Sequence, residues 1–364
     1  MKRFTIITLA VLLLLGLTVP VLAEGPTGDV AVIQKAADAY LSSGKAPVIS
    51  ADQLFEVLND GDPDNDPFIL SVRKPEHYAK GHIPGAVNIF WKNVAEKENL
   101  AKLPKDRQIV VYCYTGHTGQ IAATVLNLLG YDAVNLKFGI MGWTKNDEVL
   151  GLKRFDPATQ PDYRVETEPH EATATYDFPT LSTGGADDWE IIRLAADNWL
   201  KNAQAPVMSA DALWENMNDG DASNDYFVVS VRKPEHYAKG HIPGAINIPW
   251  RDIAKVENLA KLPPDKPLAV YCYTGHTGQV ATTILGLMGY DAHNVKFGIM
   301  GWTKNDEVLG LERFDPATQP DYRVEAEAVA APAELPTTGG FVFWPALAAL
   351  GAAAVGAGVA LRRK

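Results

Sequence analysis

The sequence predicts an α/β protein made of two tandem copies of one domain, each a parallel β-sheet flanked by helices on both faces. Three observations carry this. Short uncharged runs such as 68–72 and 108–112 alternate with segments of helical period, the pattern of strand–helix–strand units. These runs are continuously apolar rather than alternating, as strands buried on both faces are. The whole pattern then repeats: Cys113 and Cys272, like His82 and His241, stand 159 residues apart (272 − 113 and 241 − 82). The register holds from Ile33/Ile192 to Glu166/Glu325, and most positions from Pro47 and Pro206 onward are identical. That is the duplication of a whole domain rather than of a solenoid unit.

Within the first copy, residues 36–41 have the pattern of an amphipathic helix, and Ser50 is placed to cap a second over 51–59. Phe68-Ile69-Leu70-Ser71-Val72, bounded by Pro67 and Lys74-Pro75, reads as a buried strand. Residues 86–89, 108–112 and 133–136 are further strands, and 76–80, 94–101, 120–129 and 141–146 are helical. The copies therefore occupy 30–166 and 189–325. Between them, 167–188 contains Pro169, Pro179, Ser182, Gly184 and Gly185 with no apolar period, and reads as a linker.

At 364 residues, with 47% hydrophobic and 21% charged, the chain is long enough for two globular cores. A formal net charge of -11 repels phosphate backbones, so no nucleic-acid partner is expected. The absence of His/Cys/Asp clusters at ligand spacing predicts no structural metal, and no cofactor is implied. Met1-Lys2-Arg3, an apolar run over 6–21 and Val21-Leu22-Ala23 follow the order of a secretory signal, residues 1–23, with an uncleaved membrane anchor as the alternative. Residues 326–334 form a spacer. Over 335–364, Leu335-Pro336-Thr337-Thr338-Gly339 precedes an almost uncharged run and Arg362-Arg363-Lys364, which resembles the LPxTG sorting signal of Gram-positive surface proteins. That resemblance implies a sortase acting between Thr338 and Gly339 and attachment to the cell wall; a plain membrane anchor is the other reading. Either places the globular part outside the cytoplasm.

The chemistry points to two loops. Cys113-Tyr114-Thr115-Gly116-His117-Thr118-Gly119 follows the strand ending at Tyr112 and opens a helix; Cys272-Tyr273-Thr274-Gly275-His276-Thr277-Gly278 repeats it. A glycine-containing loop between a parallel strand and a helix turns its N–H groups inward and forms an anion-binding nest at the helix N-terminus. Such a nest stabilises a thiolate, although a free cysteine at a strand end also serves as a small buried hydrophobe. These are the only two cysteines in the chain, so a disulfide scaffold is not expected.

Together with Ser71-Val72-Arg73-Lys74-Pro75-Glu76-His77-Tyr78-Ala79-Lys80-Gly81-His82-Ile83-Pro84-Gly85-Ala86-Val87-Asn88-Ile89, each loop resembles the rhodanese (sulfurtransferase) family. The resemblance implies a loop cysteine, here Cys113 and Cys272, that takes the outer sulfur of a small donor such as thiosulfate as a persulfide. It then passes that sulfur to a thiophilic acceptor, cyanide or a thiol. It also implies that the N–H groups of residues 114–119 and 273–278 hold the terminal sulfur. Arg73 and Glu76, with Arg232 and Glu235, match the family pattern and are expected to pair in support of the fold. His82 is expected to orient its turn, and Trp91 and Trp250 to pack.

Two departures stand out. Ser71 and Ser230 occupy positions where many members have Asp, and the loops lack an Arg, which leaves an anionic donor to the backbone amides. His117 and His276 are the loops' only titratable candidates for drawing in that donor, by partial protonation at mildly acidic pH, with a solvated ring as the alternative. A phosphatase of the same fold needs Arg six residues after the cysteine; Gly119 and Gly278 stand there. The rival to an exported sulfurtransferase is a non-catalytic surface module that binds or relays persulfide.

Overall fold

In the computed structural model, residues 24–202 and 206–326 are described. The signal-like start, most of the spacer, the Leu335–Gly339 motif and the apolar tail lie outside them. Among the described residues no helix is long and apolar enough to cross a membrane.

The first copy contains α1 (Gly28–Ser42), β1 (Val48–Ile49), α2 (Ala51–Val57), β2 (Phe68–Ser71), α3 (Pro75–Lys80), β3 (Val87–Asn88), α4 (Lys97–Leu100), β4 (Ile109–Tyr112), α5 (His117–Leu128), β5 (Ala133–Leu136) and α6 (Asp147–Leu150). The second repeats it as α7 (Asp188–Asn202), β6 (Val207–Met208), α8 (Ala210–Asn216), β7 (Phe227–Ser230), α9 (Pro234–Tyr237), β8 (Ile246–Asn247), α10 (Val256–Leu259), β9 (Leu268–Tyr271), α11 (His276–Leu287), β10 (Ala292–Val295) and α12 (Asp306–Leu309). The sheets run β1-β5-β4-β2-β3 and β6-β10-β9-β7-β8, parallel throughout. β4 and β9 are central and wholly buried, so the cysteines that follow them sit at the carboxyl edge of each sheet's middle strand.

Local sequence accounts for most boundaries. Ser50 and Gln53 form a reciprocal capping box on α2, and Pro75 occupies the first turn of α3, where its missing N–H costs nothing. Residues 141–146 are not one helix: a 3-10 turn covers Gly139–Gly142, and α6 begins only at Asp147. Asn146 accepts from the Glu148 and Val149 N–H groups as an N-cap, which starts a helix rather than continuing one. Within 94–101 only the short α4 is helical, preceded by a 3-10 turn at Trp91–Asn93. β1, two residues long, was not anticipated.

The copies are intertwined. Helices α5 and α11 pack on each other, and on each face of the sheets one continuous apolar cluster draws residues from both copies. Each copy also ends in an arm that crosses to the other. Tyr163 N–H donates to Trp302 O at 2.9 Å, Trp302 Nε1 to Arg164 O at 3.0 Å, and Thr303 Oγ1 to Asp162 at 2.9 Å. In return Tyr322 N–H donates to Trp143 O at 2.9 Å, Trp143 Nε1 to Arg323 O at 2.9 Å, and Thr144 Oγ1 to Asp321 at 2.9 Å. Tyr322 stacks on Phe55 and Tyr163 on Trp214. Residues 162–166 thus belong to the first copy in sequence yet pack on the second, because a repeat register records where a segment was copied from and not what it touches.

Candidate active site

The loop after β4 wraps the Cys113 sulfur. Gly116 N–H donates to Sγ at 3.2 Å, and Gly275 N–H does the same for Cys272 at 3.2 Å. Both thiols are buried, while Tyr114 and Thr118, half-buried, are the members of the loop nearest solvent. Among the described residues, the N–H groups of Thr115, His117, Thr118 and Gly119 donate to no protein acceptor. They are the unpaired amides expected at the start of α5. Oriented donors with no partner, beside a sulfur, favour an anion there.

Gly116 has φ +88, and a Cβ on it would lie 2.4 Å from His276 Nε2, so the position requires glycine for both conformation and close approach. Asn135 Nδ2 donates to Gly116 O at 2.9 Å and braces the loop from β5. Over it folds the turn Lys137-Phe138-Gly139. Ile140 and Met141 donate to the carbonyls of Cys113 and Tyr114 at 2.9 and 3.0 Å. Phe138 and its counterpart Phe297 are held at φ 63 and 62, an unfavourable region for a bulky side chain that is retained only where surroundings enforce it.

That strained turn serves the other copy. Phe138 N–H donates to His276 Nε2 at 3.0 Å, and Phe297 N–H to His117 Nε2 at 3.1 Å. His117 Nδ1 meets Thr115 Oγ1 at 2.9 Å, and His276 Nδ1 meets Thr274 Oγ1 at 2.9 Å. Since Nε2 accepts from a backbone N–H, the ring proton is assigned to Nδ1 and the imidazole is neutral. Burial, together with the neighbouring His276 and Lys296, holds His117 well below the ordinary imidazole range. Burial and Lys137 push His276 down to about 3. The expectation of loop histidines that charge at mildly acidic pH, or that lie in solvent, is therefore overturned. Their side chains join the copies, and their backbone N–H groups are what they offer the nest.

A cation nevertheless reaches the loop, from the opposite copy. Burial lowers the ammonium of Lys296 below the ordinary lysine value, and the interaction with a Cys113 thiolate acts in the opposite direction. Nζ lies 5.3 Å from the Phe297 ring centroid and has no ion-pair partner among the described residues. Lys137 stands in the reciprocal place, close enough to His276 to depress it. Inspection of each loop alone missed both lysines. The available signal was the recurrence of Lys-Phe-Gly at 137–139 and 296–298, turns whose partners belong to the other copy.

The upstream residues are supports. Arg73, fully buried, donates to the carbonyls of Val149, at 2.8 Å, and Gly81; Arg232 donates to those of Gly240, His236 and Val308. Neither pairs with Glu76 or Glu235, which are exposed in the first turns of α3 and α9 and complement those helix N-termini instead. Tyr114 Oη accepts from Lys74 N–H at 3.1 Å and contacts His77 Nδ1 at 2.7 Å, tying the loop to this stretch. His82 is buried, stacked on Tyr78, with Nδ1 3.0 Å from Tyr78 O. Trp91 is in the core, and Trp250, partly buried, packs beneath Arg251.

A family model described as Rhodanese-like domain matches residues 50–146 and again 209–305, more than half of the chain. The Mycobacterium tuberculosis protein described as "Probable adenylyltransferase/sulfurtransferase MoeZ" is 26% identical over 227 residues, which are 60% of this chain and 55% of that one. The chain thus spans about half the length of that relative. A sulfurtransferase of Allochromatium vinosum is 30% identical over 99 residues, covering 27% of this chain and 88% of its own length. A solved rhodanese-like domain protein from Staphylococcus aureus is 28% identical, with a TM-score of 0.25, over 27% of this chain and 91% of that one. With both copies matched by the family model, and each holding its cysteine at the carboxyl end of the central strand, the chain belongs to the rhodanese-like sulfurtransferase family as a tandem pair.

Proposed function

We propose that this is an exported, surface-attached sulfurtransferase in which Cys113 and Cys272 each carry sulfane sulfur from a small anionic donor such as thiosulfate to a thiophilic acceptor. The observation that supports it most is the Gly116 N–H donating to Cys113 Sγ at 3.2 Å amid unpaired loop amides, duplicated at Gly275 and Cys272. In the first step the cysteine thiolate attacks the outer sulfur of thiosulfate; the S–S bond of the donor breaks with its electron pair on sulfite, and the enzyme is left as Cys–S–S⁻. In the second, cyanide or a thiolate attacks that outer sulfur and the cysteine leaves as thiolate. The amides of residues 114–119 and 273–278 serve the persulfide anion, and Lys296 and Lys137 supply the charge that the loops lack.

Export rests on the signal-like residues 1–23 and the Leu335–Gly339 motif, with sortase cleavage after Thr338 and wall or membrane attachment following from them. The activity is tested by thiocyanate formation from thiosulfate and cyanide. Turnover by the parent chain, and none by Cys113→Ser/Cys272→Ser, is expected. A parent that accepts sulfur from thiosulfate but never turns over would support the persulfide-relay reading instead.

A further inference from the structure

The end of the first copy's arm and the linker that continues it meet a distant turn of the second copy, away from the cysteine loops. The first copy's arm forms an antiparallel bridge, Glu166 with His241, and the linker forms a parallel bridge, His170 with Ile246, at the edge strand β8. His170 N–H also donates to Tyr237 Oη at 3.1 Å. These backbones are therefore fixed, and the side chains they carry meet. His170 Nε2 is 2.7 Å from Glu166 Oε1, His241 Nε2 is 3.8 Å from that oxygen, and all three ligand atoms lie within 4.8 Å of one another.

The hydrogen bonding of His241 gives the cluster direction. The ring is fully buried, and a backbone carbonyl lies 3.0 Å from each ring nitrogen, Tyr237 O from Nδ1 and Glu168 O from Nε2, so a metal on Nε2 needs the ring proton on Nδ1, where Tyr237 O accepts it. The lone pair on Nε2 then faces the carbonyl of Glu168 at 3.0 Å and the Glu166 carboxylate. Glu166 Oε1 accepts from the Gly244 N–H and is hydrogen-bonded to His170 Nε2, so the three ligand atoms meet at a point where a cation would take the place of the ring proton. A histidine whose far nitrogen donates to a backbone carbonyl is how proteins orient an imidazole towards a metal.

We propose that Glu166, His170 and His241 form a three-ligand site for a divalent transition metal of zinc type, with the Glu168 carbonyl beside it, in the second copy alone. Two imidazoles and a carboxylate suit zinc, nickel or copper rather than magnesium or calcium. Zinc bonds of about 2.0–2.2 Å set ligand atoms roughly 3.4 Å apart, between the shortest and longest separations here. The first copy supplies the comparison. His82 and Glu325 form the same bridge with Nε2 3.6 Å from Oε1, but the residue 159 positions after His170 is Val329, so the third ligand is missing. The bound ion would fasten the arm and the linker to the second copy. The expectation of no metal fails to find this cluster because His241, 71 residues after His170, joins Glu166 and His170 only through the exchanged arm.

The test is calorimetric titration of zinc chloride into the full-length chain carrying Cys113→Ser/Cys272→Ser, so that thiols do not compete. One equivalent is expected, with affinity reduced at least about tenfold by His170→Ala and a zinc-induced rise in Tm that this variant loses. His170 is exposed, so its replacement leaves the fold in place; circular dichroism checks this. No saturable binding, two equivalents, or equal affinity in the His170→Ala chain would overturn the proposal.

Discussion

The two cysteine loops agree closely with each other, whereas the outer helix faces of the two copies do not. Sulfur to glycine N–H is 3.2 Å in both, threonine hydroxyl to histidine Nδ1 is 2.9 Å in both, and histidine Nε2 to the opposite phenylalanine N–H is 3.0 and 3.1 Å. Away from the loops the copies diverge. On α5, Asn127 donates to Ala123 O and Ala133 O at 2.8 and 2.7 Å. Its counterpart on α11 is Gly286, where a Cβ would lie 2.4 Å from Trp199 Nε1. The outer positions answer only to their own copy and drift with local packing. The loops answer to each other, because each histidine accepts from the turn that covers the opposite cysteine.

The largest effect should come from the nucleophiles. If the loops are equivalent, Cys113→Ser and Cys272→Ser each retain roughly half of the thiocyanate-forming activity, since each removes one of two covalent sites. A single substitution that abolishes turnover in a folded chain would break the equivalence. Next come the crossing rings. His117→Ala leaves Phe297 N–H buried without its acceptor and opens a cavity, and we expect a loss of about 3 kcal/mol in denaturant unfolding. His276→Ala should match it. A cost within about 0.5 kcal/mol, typical of surface sites, would mean that the ring does not join the copies.

The lysines sharpen the comparison by assigning each cation to the opposite sulfur. In a Cys272→Ser chain, where only Cys113 works, Lys296→Met should raise KM for thiosulfate by about fivefold, a partly exposed charge being worth on the order of 1 kcal/mol, with kcat changed less. Lys137→Met should leave that KM alone, and the pattern should reverse in a Cys113→Ser chain. Equal effects of both lysines in both chains would assign them to general steering.

A further effect concerns pH. Because the folded chain holds His276 at about 3 and an unfolded histidine titrates near ~6.5, the unfolded state binds the extra proton between those values. Stability from this ring is complete above about 6.5 and is lost as pH falls towards 3; His117, also lowered, adds in the same direction. Urea midpoints between pH 7 and 5 should therefore fall more steeply for the parent than for His117→Asn/His276→Asn. Parallel slopes would mean that the rings are not buried neutral.

Much of the fold and the centre of the site was legible because it is local. β5 has the bounds that its apolar run implies, Ser50 caps α2, and the nest follows from a strand, two glycines and a helix start. What escaped depends on contacts between copies. The sequence shows Gly116 as a turn residue, but not that His276 leaves no room for a Cβ. It shows His117 in a loop, but not that Phe297 closes over it. Arg73 and Glu76 were expected to pair because both match the family pattern; the carbonyls of Val149 and Gly81 instead surround Arg73, and Glu76 is exposed.

The central claim, that each loop is a persulfide site, is tested most directly by intact-mass measurement of the full-length chain after incubation with thiosulfate and removal of the donor. The account predicts two added sulfur atoms per chain, one in each single cysteine variant, none in the double variant, and complete release as thiocyanate when cyanide is added. No added sulfur in the parent, or sulfur that persists in Cys113→Ser/Cys272→Ser, would contradict it.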